Sequence, residues 1–147
     1  MASIYVNANN DRPDFRQVYA FLYSAFHDVD TDGDSLNPAS RTWTRLWICN
    51  RENTREWIRI SPTSESPLIL EIKSDLEFLA ARAAYYLATH MESGFSISPD
   101  GPFDSPALLS KLTGNEFDCA AAIQRSLQTP FAQSTLENPY PNLDQNA

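Results

Sequence analysis

"RTWTRLWICNRENTREWIRIS", residues 41–61, is the stretch whose reading decides the fold. Apolar and polar side chains alternate with period two on both sides of a polar segment, the pattern of two half-buried strands joined by a turn. Leu46, Ile48, Ile58 and Ile60 fall on one face; Trp43, Arg45, Trp47, Trp57 and Arg59 fall on the other. In an antiparallel hairpin the faces stay consistent only if Ile48 opposes Ile58 and Trp47 opposes Arg59. A slip of one residue would turn every side chain over. That register leaves "RENTR" (51–55) as the connecting loop.

Working outward, "PLILEIKS" (67–74) reads as a third strand, apolar enough to sit centrally, and "SIYVNA" (3–8) as the first strand of the chain. Between that first strand and the hairpin, residues 11–29 predict a helix. Asp11 is placed to cap it, Pro13 lies in its first turn, and Phe15, Val18, Tyr19, Leu22 and Phe26 share one face. Residues 74–94 predict a second helix with a capping box, Ser74 with Glu77, and an end near Gly94. Its Ala80, Ala81, Ala83 and Ala84 would let it approach a sheet closely. "FSIS" (95–98) predicts a short returning strand, and 105–112 and 115–127 two short helices, the second capped by Asn115. The order is β-α-β-β-β-α-β-α-α without internal repeat. It predicts an α+β fold: a single domain over residues 1–128, with a largely antiparallel sheet of four to five strands and helices packed on one face. Residues 129–147, rich in Pro, Asn, Gln and Ser, read as a mobile polar tail.

At 147 residues and 42% hydrophobic, the chain is long enough to bury a core without disulfide or metal staples. No apolar run approaches a membrane span, and the first residues lack a signal-peptide pattern, so the expectation is a cytoplasmic protein. Cys49 and Cys119 are far apart and read as buried free thiols; no CxxC or metal-finger spacing exists. Charge is uneven. The chain carries 11 basic and 19 acidic residues, a net of −8. Residues 41–60 alone hold five arginines against Glu52 and Glu56, a local excess of positive charge. The acidic remainder disfavours nonspecific binding to nucleic acid or anionic membrane and favours cations or a basic partner protein.

"HDVDTDGDSLNP" (27–38) sets Asp28, Asp30, Asp32 and Asp34 in alternation around Gly33. Its first half resembles the EF-hand type of calcium loop. Asp28, Asp30 and Asp32 take loop positions one, three and five, Gly33 takes six, and Asp34 seven. The second half departs from the pattern, with Ser35 at position eight and Ala39 at twelve, where the bidentate Glu stands in that family. The resemblance covers residues 28–34 and implies a ligand arrangement, not an EF-hand fold. It makes Ca²⁺ the candidate cofactor, with Asp28, Asp30, Asp32 and Asp34 as metal ligands. Affinity would be weak, on the order of 10⁻⁵ to 10⁻³ M. Waters or an oxygen from outside the loop, such as one from Glu52 or Glu56 of the neighbouring hairpin, would complete the shell. The competing reading is a solvated Asp-rich turn.

The Trp–Arg face is the second candidate site. Trp43, Arg45, Trp47, Trp57 and Arg59 read either as a structural lattice, Arg stacked on Trp, or as anchors of a protein interface. A stacking platform for single-stranded nucleic acid is a third reading, since "IYVNAN" (4–9) resembles the RNP2 segment of RNA-recognition domains. No matching RNP1 segment exists. No catalytic constellation is visible: the acids cluster in one stretch, and His27 and His90 are far apart, His90 as a half-buried helix tip. The sequence therefore predicts a non-enzymatic acidic binding protein. It is either a calcium buffer or sensor, or an inhibitor- or immunity-type interaction module.

Overall fold

A computed structural model describes residues 2–24, 27–132 and 135–138. The elements run β1 (Ala2–Asn7), α1 (Phe15–Leu22), β2 (Val29–Gly33), β3 (Leu46–Asn50), β4 (Trp57–Glu65), β5 (Leu68–Ser74), α2 (Glu77–Met91), β6 (Phe95–Ser96), a 3₁₀ helix (Pro106–Leu112) and α3 (Cys119–Leu127). The six strands form one antiparallel sheet in the order β2-β3-β4-β5-β1-β6, and the fold is α+β. The sheet has one strand more than expected, and that strand is the aspartate stretch.

The hairpin register is the one its two faces require: Ile48 lies opposite Ile58 and Trp47 opposite Arg59. Leu46, Ile60, Ile72 and Ile4 continue as one buried row across four strands. The strand β5 is central, between β4 and β1. Pro62 is tolerated within β4 because β3 has already ended opposite Ile60. Only β5 pairs with this half of β4, and the ladder is irregular between Pro62 and Ser64.

Helix α2 lies across β1, β5 and β4. Its Ala80, Ala81, Ala83, Ala84 and Ala88 are all fully buried, so the helix presents backbone-close contact where bulkier side chains would hold it off. Its start differs from expectation: Leu76 is the N-cap residue and makes no side-chain cap bond. The Ser74 hydroxyl instead donates to Trp57 O (2.7 Å) and accepts from Leu76 N (3.1 Å), tying the turn to the sheet.

Helix α1 is shorter than the expected 11–29. Asp14, not Asp11, caps it, in a reciprocal box with Gln17 (2.9 and 3.2 Å). Arg125 ends it by donating to Ala20 O and Phe21 O, carbonyls that a longer helix would have used itself. The expected face residue Phe26 lies outside the described residues. The expected helix 105–112 is a 3₁₀ helix over Pro106–Leu112 with Ser105 as its N-cap, and α3 starts at Cys119 under an Asp118 cap rather than at Asn115. Cys49 is buried and Cys119 half-buried, and both are free thiols. Of the expected tail, residues 129–131 join the fold. Phe131 N donates to Asp14 Oδ2 (2.9 Å), and the Phe131 ring packs on Phe15. Residues 133–134 and 139–147 lie outside the described residues. Among the described residues, no helix is long and apolar enough to cross a membrane.

Candidate functional site: the open sheet face and its acidic edge

Because the helices cover one face of the sheet, the other is open, and register alone lays out its side chains. One row runs Asp32, Trp47, Arg59, Lys73, Ser3 across five strands. A parallel row runs Asp30, Cys49, Trp57, and a third Ser61, Glu71, Tyr5, Ser96. Trp47 and Trp57 are half-buried and Arg59 is exposed. The Arg59 guanidinium carbon sits 5.8 Å from the Trp57 ring centroid, and Trp57 Nε1 donates to Asp75 Oδ2 (3.2 Å). Tyr5 donates to Glu71 (3.1 Å), which also lies 3.6 Å from Lys73. On this face Arg59 lies against the Trp57 ring, and Tyr5, Glu71 and Lys73 are joined by a hydrogen bond and an ion pair.

Trp43 does not belong to it. Strand β3 begins at Leu46, so the alternation read along the sequence does not extend to residue 43. Trp43 turns into the core, 1% exposed, and donates from Nε1 to Pro13 O (2.8 Å). Arg12 is drawn in with it: Nε donates to Trp43 O (2.8 Å), and its guanidinium carbon lies 5.9 Å from the Trp43 ring. The segment before β3 is thereby stitched to the start of α1.

The aspartates do not form one loop: Asp30 and Asp32 lie in the edge strand β2, with Asp28 just before it and Asp34 just after it. Alternation puts Asp30 and Asp32 on the open face beside Cys49 and Trp47. Extended backbone spaces such carboxylates about 6–7 Å apart, instead of wrapping them round a centre. Arg51, in the hairpin loop, reaches both Asp28 (3.2 Å) and Asp30 (2.8 Å). Asp32 accepts from the amide of Gly33 (2.8 Å). Asp34 has turned to the start of β3, accepting from the amides of Thr44 and Arg45 (both 2.9 Å) and the Thr44 hydroxyl (2.6 Å). Burial pushes the Asp34 carboxyl up, but these bonds outweigh it and hold its pKa below the ordinary value. Gly33 permits the close pairing here, since a Cβ would meet Arg45 O at 2.3 Å.

Glu52 and Glu56, the sequence-level candidates for completing a metal shell, turn elsewhere. Glu52 lies 3.9 Å from His27, and Glu56 accepts from Asn50 Nδ2 (3.2 Å). Among the described residues, no group of three or more His, Cys, Asp or Glu side chains is placed to hold a metal ion. No family model, curated protein or solved structure matches the chain. The site is therefore read from its own geometry.

The residue that sequence reasoning missed at this edge is Arg51. Its signal lay in the register: pairing Val29 with Asn50 sets residue 51 beside Asp28. That pairing needed β2 to be recognised as a strand, and Asp is depleted in strands except along edges.

Proposed function

We propose that this chain is a non-enzymatic protein-interaction module, of inhibitor or immunity type, that binds a basic partner protein across the open sheet face. One observation carries the reading. Trp47, Trp57 and Arg59 stand together on a sheet face that no helix covers, bordered by the carboxylates of β2. Trp and Arg are the side chains that most often anchor protein interfaces, and a charged border steers the complementary partner in. The net charge of −8 extends that steering over the whole molecule.

The test is affinity capture from native lysate of the source cells at low and high salt. The wild-type chain is compared with a Trp47→Ser/Arg59→Ala variant and with Ala120→Glu on the far helix. The expected result is a saturable basic partner, released by salt, lost with the face variant and kept with the helix variant. No partner at low salt, or the same capture by the face variant, overturns the proposal. Quenching of Trp fluorescence by single-stranded oligonucleotides at low salt would instead favour the nucleic-acid reading.

A weak calcium site at Asp28–Asp34 is the second reading, supported by the convergence of Asp28 and Asp30 on a single positive group. Calcium would take the place now held by the Arg51 guanidinium. On this reading Arg51→Gln tightens calcium binding, followed by amide shifts in residues 27–37. No saturable shift at millimolar calcium in either protein excludes it.

A further inference from the structure

On the far side of the β3–β4 loop, a cleft of about 460 Å³ opens between the end of α1, the start of α3 and one flank of α2. Arg82, on α2, is fixed there in three ways. Its Nε donates to Thr113 O (2.7 Å), and its guanidinium carbon lies 4.7 Å from the Phe78 ring centroid and 4.0 Å from that of Phe117. Gly114 lets the chain pass against it, since a Cβ at this residue would come within 3.1 Å of Arg82 Nη2. The two terminal nitrogens make no hydrogen bond among the described residues. Burial pushes the Arg82 pKa down, with Glu56, Cys119 and Tyr23 acting in the opposite sense.

A second guanidinium lines the same cleft. Arg125 is held by Nε and Nη2 on the carbonyls of Ala20 and Phe21. His27 lines it too, its Nε2 2.8 Å from Asn50 Oδ1. Three carboxylates also line the cleft: Glu56 accepts from Asn50 Nδ2 (3.2 Å), Asp118 Oδ1 accepts from Ala121 N (3.0 Å), and exposed Glu116 has no partner among the described residues.

We propose that this cleft is a binding site for a small oxyanion-bearing ligand, a phosphate ester or a carboxylate, held by the guanidinium of Arg82, with Arg125 lining the same cleft. A planar fork pre-set by stacking loses little freedom when an oxyanion accepts two of its N–H bonds, and the cleft volume suits a metabolite-sized molecule. The proposal does not depend on the open sheet face, which lies on other residues.

The experiment is a titration of the full chain with inorganic phosphate and, separately, with acetate, at constant ionic strength. It is read by backbone amide and arginine Nε–Hε NMR shifts. Saturable shifts at Arg82 Nε–Hε and in residues 113–121 are expected with at least one probe, and the probe that binds names the source chemistry. Arg82→Lys, which keeps the charge and removes the fork, should weaken binding about tenfold. Glu116→Gln, at the exposed rim, should tighten it by about two- to threefold by removing a like charge. No saturable shift with either probe, or shifts unchanged in both variants, overturns the proposal.

Discussion

Trp43 separates the core from the open face, and replacing it measures the difference. The side chain is 1% exposed, packs under the start of α1 and supplies the only hydrogen bond to Pro13 O among the described residues. Trp43→Ala removes a fully buried indole, a loss of about 3–5 kcal/mol. It also strands a buried carbonyl, adding about 1–3 kcal/mol if water does not enter. The summed loss, about 4–8 kcal/mol, is a large part of the roughly 5–15 kcal/mol that holds a domain of this kind folded. With a urea slope of about 2 kcal/mol/M, the midpoint should fall by about 2–4 M. Trp43→Phe keeps most of the packing and loses the Nε1 bond, so about 1–3 kcal/mol should go. Trp47→Ala, half-buried on the open face, should cost only about 1 kcal/mol. Urea unfolding followed by far-UV circular dichroism reads all three. Equal midpoint shifts for Trp43→Ala and Trp47→Ala, or a Trp43→Ala loss below about 1 kcal/mol, would refute the assignment of Trp43 to the core.

Three further outcomes follow from the edge strand. Asp30→Val with Asp32→Val turns β2 into a flat apolar edge and should drive self-association, seen by light scattering at micromolar protein; a monomer would show that the carboxylates do not guard the edge. Gly33→Ala forces β2 away from Arg45 O, and a loss of about 1–3 kcal/mol with faster amide exchange in β3 is expected; unchanged exchange counts against the tight pairing. The Asp34 pKa is depressed in the folded state, so its contribution is present above the unfolded value of 3.8 and is lost as pH falls through the lower folded value. Asp34→Asn should therefore flatten the fall in stability below about pH 4 while leaving other acid-dependent losses in place. An identical acid limb in wild type and variant would contradict the hydrogen bonds to Thr44 and Arg45.

The strength of each sequence signal tracks its physics. The register of the hairpin was legible to the residue, though not its strand ends, because its two faces differ so sharply that only one pairing is consistent: Ile48 on Ile58, Trp47 on Arg59. The alanines of α2 were legible as a close-packing surface for the same kind of reason. Strand β2 was not, because its side chains are those of a turn, and only its period of two belonged to a strand. The same alternation from Asp28 to Asp34 produces the likeness to a calcium loop and, within β2, puts Asp30 and Asp32 on one side of an edge strand. Trp43 was misplaced by carrying the alternation past the end of β3, where the cross-ties to Arg12 and Pro13 decide the orientation. Helix α1 was drawn too long because its terminator, Arg125, comes from more than a hundred residues away. The Arg82 cleft had no sequence signal at all, since Phe78, Arg82, Thr113 and Phe117 meet only through the packing of α2 on the segment around the 3₁₀ helix.

Recognition through the open sheet face is most directly tested by placing a photo-crosslinking residue at Trp47, and in a control chain at exposed Ala120, then irradiating native lysate at low salt. The account predicts one dominant adduct with a basic protein from position 47, suppressed at high salt, and none from position 120. Adducts from position 120 alone, or none from position 47 while the chain remains folded, would contradict it.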